Sequence, residues 1–135
     1  MTVITTGICV KAALDASAAV ADEGIELRVL DAAWIKPIDQ SIIIAAARET
    51  GVILTVEEHN PNGGQGGAVA EIVAEAGIAV RFRRLALPDD YVLESPPPHL
   101  YRHYGLTAVG VSAAVKSLLG AQIFAETVPI DPSLF

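Results

Sequence analysis

Cysteine, aromatic side chains and basic charge are all scarce in this chain, and each scarcity excludes something. Cys9 is the one cysteine among 135 residues, so no disulfide can form within the chain, and a reduced, cytoplasmic setting is expected. A lone cysteine of this kind reads as a small buried apolar residue rather than a nucleophile. Aromatic residues make up 5% of a chain that is 52% hydrophobic, so the core must be assembled from Ala, Val, Ile and Leu. Such small side chains favour close packing of helices on a sheet. Lys and Arg number 9 against 16 acids, a formal net charge of −7. That balance argues against electrostatic binding to nucleic acid or to an anionic membrane. No apolar run approaches the length of a bilayer span, and no basic region followed by an apolar stretch marks the N-terminus.

What is present is alternation. Thr2 to Thr6 is a β-branched strand pattern that starts directly after Met1, as though the chain began inside a fold. Val10, Ala13, Leu14, Ser17, Val20 and Ala21 then recur at helical spacing, and Gly24 is placed to close that helix. Leu27 to Leu30 is a second, short strand. Pro37 disfavours helix at Lys36, and Asp39 is placed to cap a helix through Ile42, Ile43 and Ala46 that Gly51 ends. Val52 to Val56 is a nearly continuous apolar run, the mark of a central parallel strand covered on both faces. Ala68, Val69, Ile72, Val73 and Ala76 form the stripe of the next helix. Val80 and Phe82 alternate with Arg81 and Arg83 in a fourth strand, which predicts a solvated or partner-facing side near a sheet edge.

From Pro88 through Pro98 the pattern becomes irregular and is expected to cross the surface. A short helix is expected over His99 to Tyr104, and Thr107 is a cap for a last helix striped by Val111, Ala114, Val115, Leu118 and Leu119. The expectation is therefore one α/β domain over residues 1–120, three layers with a mainly parallel sheet of about four strands, followed by an extended or mobile tail over residues 121–135. The surplus of small apolar residues also suggests burial against another domain or subunit.

The chemistry concentrates at Glu57, Glu58, His59, Asn60, Gly63, Gly64, Gln65, Gly66 and Gly67, where an apolar strand ends in charge and a glycine turn opens a helix. In open α/β sheets, groups that meet a ligand or partner lie at the carboxyl ends of strands. The turn fails the dinucleotide pattern, because Gly64-Gln65-Gly66-Gly67-Ala68-Val69 lacks the third small residue and no acid follows at the ribose-binding distance. It fails the triphosphate-loop pattern because Ala68 and Val69 follow the last glycine instead of Lys and Ser or Thr. What survives is a turn that permits left-handed backbone angles and close approach by another chain, with N–H groups free at a helix start. A freestanding module that holds a small anion there is one alternative.

Glu57, Glu58 and His59 contain the groups of an acid-base set, but neighbours on a strand point to opposite faces, so a solvated strand tip bonded to nearby loops is the simpler expectation. His99 and His103 share metal-ligand spacing without a third ligand, and default to an aromatic cluster with Tyr101 and Tyr104. No Gly-x-Ser-x-Gly nucleophile turn occurs. No catalytic, cofactor-binding or metal-binding residue is assigned.

Taken together, Val3-Ile4-Thr5-Thr6-Gly7, Ile35-Lys36-Pro37-Ile38-Asp39, Thr50 through His59, Gly63 through Glu71 and Tyr104-Gly105-Leu106-Thr107 resemble the C-terminal domain of transketolase. Related domains close the pyruvate dehydrogenase beta subunit and deoxyxylulose-phosphate synthase. His59 and the late Tyr-Gly-Leu-Thr look more like transketolase, particularly the short form split into two chains. The resemblance implies part of a dimeric thiamine diphosphate enzyme of the pentose phosphate pathway, one that moves two-carbon ketol units between sugar phosphates. It implies that other domains hold thiamine diphosphate and Mg2+, that this chain binds neither alone, and that Glu57 to Gly67 form an interface or border the active site. It also implies an additional antiparallel edge strand ahead of Thr2, which this sequence does not include. The chain is therefore expected to be an excised or separately made piece, inactive alone, with a sheet edge open at Leu27 to Leu30.

Overall fold

The computed structural model describes residues 1–120, so the expected tail over residues 121–135 lies outside the described residues. Four parallel strands, β1 (Thr2–Thr5), β2 (Arg28–Asp31), β3 (Val52–Val56) and β4 (Arg81–Leu85), form a sheet in the order β2-β1-β3-β4. Helices α1 (Cys9–Ala21), α2 (Gln40–Thr50), α3 (Gln65–Glu75), α4 (Pro97–His103) and α5 (Ala108–Gly120) complete the described elements. β1 and β3 are central and buried along their whole length, as their unbroken apolar and threonine content requires. Val3 pairs with Val29 on one side and Leu54 on the other. The expected edges are where the sequence put them: β2 and β4 are the outer strands among the described residues.

The period-two alternation of the central strands sorts the core into two layers. Val3, Leu54 and Val56 pack with Cys9, Ala13 and Ala16 of α1 and with Val111, Val115 and Leu118 of α5. Ile4 and Ile53 pack on the opposite face with Ile43 and Ala47 of α2 and with Val69, Ile72 and Val73 of α3. Asp39 caps α2 as expected, accepting the N–H groups of Ser41 at 3.0 Å and Ile42 at 3.2 Å. These bonds, led by the one from the Ser41 hydroxyl, hold its carboxyl below the usual 3.8. Gly51 ends α2 in the left-handed region at φ 63°.

Three expectations need correction. The buried stripe of α1 is Cys9, Ala13, Ala16 and Val20, whereas Leu14 is 54% exposed and Ala21 also faces out. Cys9, Ala13 and Ala16 share the face turned to Val3 and α5, and Leu14, one residue on from Ala13, is carried about 100° away from it. The arginine face of β4 is not simply solvated. Arg81 Nη1 donates to the carbonyls of Leu118 at 3.1 Å and Leu119 at 3.2 Å, and Arg83 Nη1 donates to Ser117 Oγ at 3.3 Å, so α5 lies over that face. A guanidinium, which carries only donors, suits backbone carbonyls, which can only accept. Finally, α4 begins at Pro97 rather than His99, since proline is tolerated in a first helical turn where its missing N–H has no partner to lose.

Candidate functional site

The chain leaves β1 toward one layer, into α1, and leaves β3 toward the other, into α3. Adjacent central strands whose connections diverge in this way open a crevice at their carboxyl ends, the general ligand position of open α/β sheets. A crevice of about 360 Å³ lies there, lined by Thr6, Gly7 and Ile8 after β1, by Glu57, Glu58 and His59 after β3, by Gly63, Gly64 and Gln65 at the start of α3, and by Ile35 from the connection after β2. Six of the nine residues singled out from the sequence therefore share one wall. Asn60, Gly66 and Gly67 do not line it.

Glu57 is 2% exposed, which corrects the expectation of a solvated strand tip. Its carboxylate accepts the backbone N–H of Gln65 at 2.6 Å through Oε2 and that of Gly66 at 2.8 Å through Oε1. These are N–H groups that a helix cannot satisfy internally, and a negative charge there also complements the helix dipole. The reading of a helix start free to hold a small anion is thus overturned, because the protein supplies the anion itself. The glycines make this fit possible. A Cβ on Gly64 would collide with Glu57 Oε2 and stand 2.7 Å from the Asn60 carbonyl. One on Gly66 would stand 2.9 Å from both Glu57 Oε1 and Arg84 Cγ and closer still to Thr55 Oγ1. Of the turn glycines Gly63 has the left-handed backbone, at φ 77°, while Gly67 meets nothing nearer than the Pro61 carbonyl at 3.8 Å.

Glu58 is exposed and accepts the Tyr101 hydroxyl at 2.6 Å. That bond raises the phenol above its ordinary pKa of 10.0. His59 Nδ1 lies 2.8 Å from the Asn60 carbonyl. A carbonyl can only accept, so Nδ1 carries the proton and, in the neutral ring, Nε2 is left as an acceptor. No described hydrogen bond joins His59 to Glu57 or Glu58, so the acid-base set is not assembled. Asn60 turns away to Asp89: its Nδ2 donates to Oδ1 at 2.7 Å and Asn62 Nδ2 donates to Oδ2 at 2.8 Å. Arg84 Nη1 donates to the Pro61 carbonyl at 2.6 Å, which ties the same loop to β4.

Sequence reasoning missed Asp89, Tyr101 and the Thr6 to Ile8 wall. The Asn-Pro-Asn spacing signals a side-chain-bonded turn but not its distant partner. Gln65 was found for its place in the turn, yet its side chain is the unusual feature. It is 3% exposed, and neither Oε1 nor Nε2 has a hydrogen-bond partner among the described residues. Cys9 is fully buried, and its thiol is pushed up to about 11, first by burial and then by the nearby Glu58 and Glu57. Among the described residues no group of three or more His, Cys, Asp or Glu is arranged to hold a metal, and no helix is long and apolar enough to cross a membrane.

Residues 1–111 match the family described as "Transketolase, C-terminal domain". The chain belongs to the transketolase C-terminal domain family. This transketolase-type domain is 43% identical over 117 residues to the 1-deoxy-D-xylulose-5-phosphate synthase of Syntrophotalea carbinolica, a match covering 87% of the chain and 18% of that protein. It is 40% identical over 111 residues to an apulose-4-phosphate transketolase subunit of Phocaeicola vulgatus, covering 82% of the chain and 35% of that relative. Among solved structures it resembles a split gene transketolase described as an inactive beta4 tetramer, with TM-score 0.82 and 40% identity over 88% of this chain and 39% of that one. Its fold also matches a transketolase mutant from Pichia stipitis at TM-score 0.55 and 16% identity, covering 90% of this chain and 16% of that one, a likeness of fold alone. The domain spans about a fifth of the deoxyxylulose-phosphate synthases and about a third of the transketolase subunit.

Proposed function

We propose that this domain is the non-catalytic C-terminal section of a thiamine-diphosphate-dependent transketolase, supporting the assembly of an enzyme that moves two-carbon ketol units between sugar phosphates. The observation that carries this reading is the 40% identity and TM-score of 0.82 to the chain of a split gene transketolase. The state of the site supports it. Both oxygens of Glu57 are committed to α3, Glu58 holds Tyr101, and His59 is bonded to Asn60, so these groups work as structure.

The residues present do not fit the cofactor. The start of α3 is filled by Glu57 and offers no place for a diphosphate, and among the described residues no carboxylate cluster is arranged for Mg2+. Thiamine diphosphate and Mg2+ are therefore assigned to the other domains of the assembled enzyme. The segment from Glu57 to Gly67 is assigned to contact with those domains, and the assembly is a homodimer of complete protomers in the cytoplasm.

A second reading, the C-terminal section of a deoxyxylulose-phosphate synthase, is favoured by the 43% identity over 117 residues to such an enzyme. One experiment separates them. The chain is combined with its thiamine-binding domains, supplied with thiamine diphosphate and Mg2+, and assayed for ketol transfer from xylulose 5-phosphate and for formation of 1-deoxyxylulose 5-phosphate. Transfer is expected from the combination and not from this chain alone. Deoxyxylulose phosphate as the sole product would move the assignment to the second reading, and turnover by the chain alone would overturn both.

A further inference from the structure

We propose that the crevice beside Gln65 is a docking pocket for one peptide loop of the polypeptide that carries the catalytic domains. The loop presents a backbone amide to Gln65, an apolar side chain to Ile8 and Ile35, and a cationic side chain to Glu58. The inference rests on the assembly role proposed above and names the partner's chemistry at that surface.

Gln65 carries the argument. A buried carboxamide with an unpaired acceptor and unpaired donors is costly, because each lost water contact goes uncompensated. The natural complement is a group that offers N–H and C=O together, as a peptide unit does. The helix start itself is already satisfied by Glu57, so the unmet demand belongs to the side chain alone.

The walls give the rest of the chemistry. Ile8 is 50% and Ile35 is 43% exposed, two large apolar side chains that line the crevice from different loops. No Lys or Arg lines the crevice, while Glu58 and His59 are among its lining residues. An anionic ligand such as a sugar phosphate would meet this charge unfavourably; a basic and apolar loop matches it. Trp34, 75% exposed, lines a separate hollow after β2.

The test measures binding of this chain to the polypeptide carrying the remaining domains by sedimentation or calorimetry, with Gln65→Leu, Glu58→Lys and Ile35→Asp variants. Gln65→Leu removes both unpaired polar atoms at little change in shape, so the isolated chain should melt at the same or a higher temperature, while association weakens about tenfold or more. Ile35→Asp, at an exposed position, should weaken association without changing the melting temperature, while Glu58→Lys, which also loses the Tyr101 hydroxyl, should weaken association by an amount that shrinks with added salt. A wild-type complex that all three variants leave intact would overturn the docking pocket and spare the assembly role. So would a fall in the melting temperature of isolated Gln65→Leu, which would mean that the amide is satisfied within the chain. Failure of the wild-type chain to bind, with no activity in the combination, would overturn the assembly role and the pocket with it.

Discussion

Glu57 Oε2 accepts the Gln65 N–H at 2.6 Å across eight residues of chain, so the end of β3 and the start of α3 are joined by a buried charge rather than by the turn between them. Glu57→Gln keeps the shape but turns one acceptor into a donor that faces an N–H. The expected loss is about 1–3 kcal/mol of unfolding free energy, measured by urea denaturation. A loss below a few tenths would mean the carboxylate is dispensable there.

Gly66 and Gly67 are neighbours with opposite requirements. Gly66→Ala places a methyl against Thr55, Arg84 and Glu57, and should cost about 1–3 kcal/mol. Gly67→Ala enters ordinary space inside a helix and should stabilise by about 0.5–1 kcal/mol through helix propensity. Paired thermal melts of the two variants check the ordering.

Cys9 should be unreactive toward alkylating reagents near neutral pH, because its thiol is buried and its pKa raised from 9.0 to about 11. A raised acid keeps its proton in the folded state, so the associated stability is complete below pH 9 and is lost as pH rises through about 11. The loss attributable to this thiol is roughly 3 kcal/mol. Comparing the pH dependence of unfolding in wild type and Cys9→Ala isolates it, since other alkaline titrations are common to both.

Asp39 gives the opposite sign. Its carboxyl is held below 3.8 by bonds from Ser41 and Ile42, so its cap should be fully effective above that pH and fade as pH falls below it. The gap in melting temperature between wild type and Asp39→Ala should be steady near neutrality and close under strong acid.

The layered fold was legible because the local patterns agreed with it. The Val52 to Val56 run required a strand buried on both sides, Asp39 and Gly51 bracketed α2, and the paired arginines marked an outer strand. The candidate site was half legible. The sequence isolates Glu57 to Gly67 because charge, glycine and a helix start fall together. Nothing local assigns Ile8 to the facing wall, since that contact is made by two strands pairing across about fifty residues. Glu57 itself was misread for the same reason. A terminal acid on a strand resembles a solvated group until the helix start it caps is folded back onto it. The buried stripe of α1 differs because Leu14 follows Ala13 by one residue and so falls about 100° off the face turned to Val3 and α5.

The parallel sheet has a consequence for synthesis. Thr5 at the end of β1 pairs with Val56, so within the domain this central strand is synthesised well before its mate. Until β3 is released, the first fifty residues can form helices and a β1 to β2 edge but not the interior. Nascent chains arrested before Val56 should be protease-sensitive, and an interval of exposed aliphatic surface is therefore built into the birth of this domain.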